Sequence, residues 1–123
     1  MIAIKGGKIL TITQGVIEDG VILVEDGKIA AIGKDVAIPA GAEVIDATGK
    51  TVMPGLIDAH SHISLFGEPS VPATMDGNEM TNPITAQVRG LDALNPDDPA
   101  IPIVRNAGFT TLYTGPGSAN LIG

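Results

Sequence analysis

The stretch VMPGLIDAHSHI, residues 52–63, carries both histidines of the chain with one residue between them. On an extended strand, positions i and i+2 project from the same side. His60 and His62 are therefore expected side by side, with Asp58 one step earlier on that side. Two neighbouring imidazoles can converge on one divalent cation at about 2.0–2.1 Å each. Neutral imidazole suits Zn, Fe, Ni or Mn better than Ca or Mg, which prefer oxygen. A nearby carboxylate can orient an imidazole or ligate directly. The plain alternative is a pair of solvated strand-end histidines, since His-x-His alone is a weak pattern. The context favours chemistry, because the pair closes an apolar strand at its carboxyl end, where parallel α/β sheets and barrels place their sites. Two histidines do not complete a site, because a structural zinc takes four protein ligands and a catalytic one normally three. Further ligands must come from Asp or Glu here, or from beyond Gly123.

Composition narrows the classes around that pair. The chain has 123 residues, 44% hydrophobic but only 2% aromatic, so its core must be built from Ile, Val, Leu and Ala. A net charge of −7 argues against nucleic acid or an anionic membrane as partner, because such binding rests on Lys and Arg neutralising phosphates. The absence of cysteine removes disulfides, thiolate catalysis and thiolate metal sites. No signal-peptide pattern or membrane-length apolar run is present, so a soluble cytoplasmic protein is expected. The Gly-Lys dipeptides are turns and do not fit a Walker A loop.

Residues 1–53 are punctuated by turn signals. In EDGVILVEDGKIAAIG, residues 18–33, Asp19-Gly20 and Asp26-Gly27 bracket the run Val21–Val24, and a second run, Ile29–Ile32, follows. Asp-Gly between apolar runs predicts tight hairpin turns. Gly6-Gly7 predicts another turn, between Ile2–Lys5 and Lys8–Ile12, with further strands at Glu43–Asp46 and Thr51–Met53. The expectation is a small antiparallel β unit, a sandwich or part of one.

The texture then changes. The near-continuous apolar run into His60 predicts a strand buried on both faces, interrupted or begun afresh at Pro54-Gly55. Residues 64–83 read as a long, proline-bearing loop of the kind that is often functional. A short helix is expected around Ile84–Leu94. A firmer one has Asp98 as N-cap, Pro99 at its first position and Gly108 as terminator. FTTLYT, residues 109–114, then reads as a strand, which makes a βαβ unit with parallel strands. The N–H groups of Gly115 to Ser118, with Gly117 between, border the expected pocket and could bind a substrate oxygen or anion, although a backbone-driven turn explains those glycines equally well. Asp76, Asn78 and Glu79 are loop polars within reach of a site, and Asp97 and Asp98 are helix-capping charges. The close on a glycine-rich loop, GPGSANLIG, points to truncation.

DATGKTVMPGLIDAHSHI, residues 46–63, resembles the signature of the amidohydrolase superfamily, in which a small β-sandwich leads into a first barrel strand ending in His-x-His. NPDDPAIPIVRNAGFTTLYTGPGSANLIG, residues 95–123, resembles the first barrel helix and second strand of a subgroup near the imidazolonepropionases. The resemblance implies an α/β parent: a β-sandwich portion over 1–53, then the start of a (β/α)8 TIM barrel, truncated, over 54–123. It implies hydrolysis of a C–N bond in a cyclic amide, amidine or acylated amine by a metal-activated water. One or two divalent ions are implied, zinc first, with Fe, Mn or Ni as alternatives. By the same resemblance, His60 and His62 match the first two metal ligands and Asp58 a supporting aspartate. Gly115, Gly117 and Ser118 stand as supporting or substrate-loop residues. The family's later ligands and its general base have no counterpart and are expected beyond Gly123, so an isolated chain should be inactive. A small-molecule substrate is implied, and exposed strand faces predict homo-oligomers or association with the missing remainder of the barrel. The rival readings are a non-catalytic homologue of the same fold with an incomplete metal site, and a stand-alone β-rich domain.

Overall fold

The computed structural model describes residues 1–119, 121 and 122, and divides into two units, Met1–Pro54 and Gly55–Gly123. In the first, β1 (Ile2–Leu10), β2 (Val16–Glu25), β3 (Lys28–Gly33), β4 (Glu43–Asp46) and β5 (Thr51–Val52) form one sheet. Its order is β3-β2-β1-β4, with β5 also paired to β1. The β1–β2 and β2–β3 pairs are antiparallel, but β4 and β5 run parallel to β1. The sheet is therefore mixed, which corrects the purely antiparallel expectation. Residues 34–42 are the cause: Val36, Ile38 and Ala42 pack over Ala3, Val21 and Leu23, carrying the chain across the sheet to re-enter beyond β1.

Two predicted turns prove to be irregularities inside long strands. Gly6 adopts a φ of 77° within β1, and the register shifts on either side of Gly7, so the glycines make a bulge rather than a hairpin. Asp19 (φ 52°) lies within β2, and Gly20 pairs with Gly7 in the same irregular stretch. Only Asp26-Gly27, with φ of 49° and 72°, closes a two-residue hairpin, between β2 and β3. Bulges and tight turns use the same positive-φ residues, so sequence alone does not separate them. The sheet face opposite that core bears an apolar groove of about 430 Å³, lined by residues including Ile4, Ile9, Ile22, Val24, Ile32 and Val52.

In the second unit, β6 (Leu56–Ser61) pairs in parallel with β8 (Phe109–Thr114). Their connection contains a Phe66–Met75 bridge, a 3-10 turn at Pro72–Thr74, β7 (Ile84–Thr85), α1 (Gly90–Ala93) and α2 (Ala100–Asn106). β7 pairs in parallel with β9 (Leu121–Ile122). The expected helix over 84–94 is thus a two-residue strand followed later by a single helical turn; Thr85 is buried and its backbone joins β9 instead. The second helix forms where its caps place it, with the Asp98 carboxylate accepting the Ala100 N–H at 2.9 Å and Gly108 ending it at φ 99°. Pro102 is accommodated in its first turn, where a missing N–H costs little. β6 is not buried on both faces: Ile57 is 71% exposed, and among the described residues β8 is the only strand it pairs with. No helix among the described residues is long and apolar enough to cross a membrane.

Candidate metal centre

The end of β6 is shaped by a bulge. Asp58 pairs with Leu112 and Ser61 with Thr114, so Ala59 and His60 together oppose the single residue Tyr113. An extra residue in a strand frees a backbone group and re-aims the side chains beside it. The Asp58 Oδ1 answers by accepting the His60 N–H at 3.1 Å. Asp58 thus braces the backbone of His60 and does not bond either ring in this arrangement.

Across the bulge the two imidazoles come together, with ring centroids 5.3 Å apart and planes at 82°. His60 is exposed and His62 half-buried, its ring also meeting Phe66 edge-on at 5.4 Å. His62 Nδ1 lies 2.7 Å from the carbonyl oxygen of Gly115. A carbonyl can only accept, so Nδ1 carries the proton and donates, leaving the lone pair on Nε2. That is the second-sphere bond by which proteins fix the tautomer of a ligating histidine. Two rings sharing one ion at about 2.1 Å per nitrogen, at a near-tetrahedral angle, have centroids roughly 5 Å apart. The centroid separation matches that spacing, and the donor type suits a divalent metal. The pair does not complete a site: among the described residues no group of three or more His, Cys, Asp or Glu is placed to hold an ion.

The backbone after His62 is held from several directions. Its carbonyl accepts the N–H groups of Leu65 and Phe66, each at 3.0 Å. Ser61 Oγ accepts the Ile63 N–H at 3.0 Å, and Thr114 Oγ1 donates to the Ile63 carbonyl at 2.5 Å. The Gly115 N–H donates to the Ser61 carbonyl at 3.1 Å, and that of Gly117 to Gly77 at 2.7 Å. Those two N–H groups are committed to backbone, so the idea that they cradle a substrate anion does not hold; Gly115 serves through its carbonyl, on His62. A Cβ on Gly117 would stand 2.2 Å from Asn78 Oδ1, so any side chain there would displace the Asn78 amide. Ser118 is exposed in the following turn.

The loop polars do not converge on the histidines. Glu79 folds onto its own loop, accepting bonds from the Thr81 hydroxyl and, at 2.6 Å, the Thr81 N–H; these hold its carboxyl below the usual value. Asp76 and Asp97 are exposed. Thr114, Ser61 and the second bond of Asp98 escaped the sequence reading. Thr114 ends a predicted strand, which marks its place, but nothing in its type announces a hydroxyl aimed at the opposite turn.

The model of the amidohydrolase family matches residues 43–107, more than half of the chain. The chain is 53% identical over 60 residues to a dihydroorotase of Geobacter sulfurreducens and 51% identical over 59 residues to an imidazolonepropionase of Geobacillus sp. strain WCH70. Those matches cover 49% and 42% of this chain and 14% of each relative. The crystal structure of an amidohydrolase from Thermotoga maritima MSB8 matches 98% of this chain at 42% identity and a TM-score of 0.89, using 31% of that longer chain. The chain belongs to the amidohydrolase family. Its strand-rich fold corresponds to the amino-terminal β-sandwich portion of such a protein and the opening strand-helix-strand of its barrel.

Proposed function

We propose that this chain supplies the first two metal ligands, His60 and His62, of a hydrolase that cleaves a C–N bond in a cyclic amide, amidine or acylated amine. The observation that carries this reading is the His62 Nδ1 bond to Gly115, which leaves the lone pair on Nε2 of a ring whose centroid lies 5.3 Å from that of His60. Similarity to a dihydroorotase and an imidazolonepropionase supports the substrate class. Zinc is the first choice of ion, because a pair of neutral imidazoles is a nitrogen donor set. When bound, such an ion acidifies water and polarises the scissile group. The work of this chain is orientation. Asp58 fixes the bulged backbone under His60, and Gly115 fixes the tautomer of His62. With two ligands and no general base in place, the 123-residue chain on its own is expected to be inactive.

Titration of the chain with Zn2+, followed by NMR of the imidazole nitrogens, tests the reading. Both rings should respond at one shared, weak stoichiometric step. His60→Ala or His62→Ala should each weaken binding by about tenfold or more, the scale on which lost coordination support is felt. Rings that respond independently, or variants that bind as the wild type does, would refute it.

A further inference from the structure

We infer that Asp98 is a positioning residue for His62, clamping the turn that follows the histidine pair to the start of α2. Asp98 is 1% exposed, so its side chain is fully enclosed. A helix cap needs one side-chain oxygen at a surface end. Asp98 Oδ1 does that, accepting the Ala100 N–H at 2.9 Å. Its Oδ2 reaches back across 34 residues of sequence to accept the Ser64 N–H, also at 2.9 Å.

Ser64 is the residue that needs holding. It is buried, and its φ of 73° lies in the left-handed region that non-glycine residues avoid. Such a conformation persists where its surroundings over-determine it, and such residues cluster at functional sites. Both of its backbone groups are tied to the segment before α2: the N–H to Asp98 Oδ2, and the carbonyl to the Asn95 N–H at 2.8 Å. Two residues earlier stands His62, whose carbonyl takes the Leu65 and Phe66 N–H groups of the same turn. Releasing Ser64 lets that turn relax and moves His62 relative to the Gly115 carbonyl that selects its tautomer. The importance of that shift rests on His62 being a ligand; the shift itself does not.

Asp98→Asn is the sharp variant, because it keeps the shape but puts an NH2 against one of the two N–H donors. Arg105→Gly, at an exposed position of α2, serves as the control that weakens the helix without touching Ser64. In the metal-free chain, nitrogen-detected NMR should show the Nδ1-protonated form of His62 dominant in the wild type and in Arg105→Gly. In Asp98→Asn its share should fall, with the His60 resonances moving less. If Asp98→Asn leaves the His62 ring unchanged, or if Arg105→Gly shifts it equally, Asp98 is a helix cap alone and the inference fails. Should Asp98→Asn not fold, hydrogen exchange in the wild type decides: the Ser64 amide should be protected in step with that of Ala100, and fast exchange at Ser64 alone overturns the clamp. None of these readings uses a metal, so a failed Zn2+ titration counts against the ligand assignment and not against Asp98. In a protein that carries the complete ligand set, the same variant should lower Zn2+ affinity by about tenfold to a hundredfold.

Discussion

The two units are closed by opposite means. Glycines aside, the buried residues of Met1–Pro54 are Ala3, Ile9, Val21, Ile22, Leu23 and Ala47, all apolar. Among the described residues of the second unit, glycines again aside, they are Leu65 together with Ser61, Ser64, Thr85 and Asp98. The first is held by packing, whose strength scales with apolar area removed from water. The second spends its interior on directed hydrogen bonds, which contribute little net stability each but fix geometry and are costly to leave unmade. A sheet that only has to exist can be built from interchangeable aliphatics. A turn that holds two imidazoles 5.3 Å apart uses donors and acceptors in named places.

That contrast can be broken most forcefully in the packed unit. Ile9 is 2% exposed, and Ile9→Ala should cost about 2–5 kcal/mol, with Ile9→Val costing about 0.5–1.5 kcal/mol. Denaturant unfolding of the two variants measures this. A loss that does not grade with deleted volume would mean that the sheet is not held by packing.

The polar unit should answer to a change of chemistry at constant shape. Thr114→Val keeps the volume and removes the hydroxyl that donates to the Ile63 carbonyl, at an expected cost of about 1–3 kcal/mol. Its second sign is a shift of the His62 ring resonances, since Ile63 is the neighbour of that histidine. Unfolding curves and imidazole NMR on the same sample read both. An unchanged stability would place Thr114 outside the frame.

The smallest effect is electrostatic and sharpens the contrast at the surface. Asp46 Oδ1 accepts the Thr48 hydroxyl at 2.6 Å and the Thr48 N–H at 2.9 Å, which hold its carboxyl below the ordinary value of 3.8. Glu79 is lowered in the same way by Thr81. A carboxyl depressed in the folded state stabilises it above the unfolded pKa, and that contribution is lost as pH falls through the folded value. Melting temperature should therefore decline on acidification from about pH 5 downward. Asp46→Asn should flatten the decline slightly, because the group is exposed and solvent screens it.

How much of this could be read from residues follows from the same division. Aliphatic runs, the Asp26-Gly27 hairpin, the Pro99 and Gly108 limits of α2 and the β6–β8 pairing are local signals, and they led to the right elements. Gly6-Gly7 and Asp19-Gly20 misled because a bulge and a turn demand the same dihedrals, and the choice is made by the partner strand. The parallel return of β4 depended on Val36, Ile38 and Ala42 covering the sheet, a tertiary event with no local mark. At the site, His60, His62 and Asp58 were legible as a motif. The task of Gly115 was not, because a carbonyl has no residue type. Asp98 showed its cap and concealed its clamp, since the second bond joins residues 34 positions apart.

The bulge at Ala59 and His60 has a consequence for anyone who edits this strand. It acts as a parity step: upstream of it odd and even positions look one way, and downstream they have exchanged roles. Deleting Ala59 would remove this two-against-one step and look, in an alignment, like a conservative shortening. Its effect would fall on His60, left alone opposite Tyr113 without the bulge that places it, while Ser61 keeps its register with Thr114 and His62 its side of the ribbon.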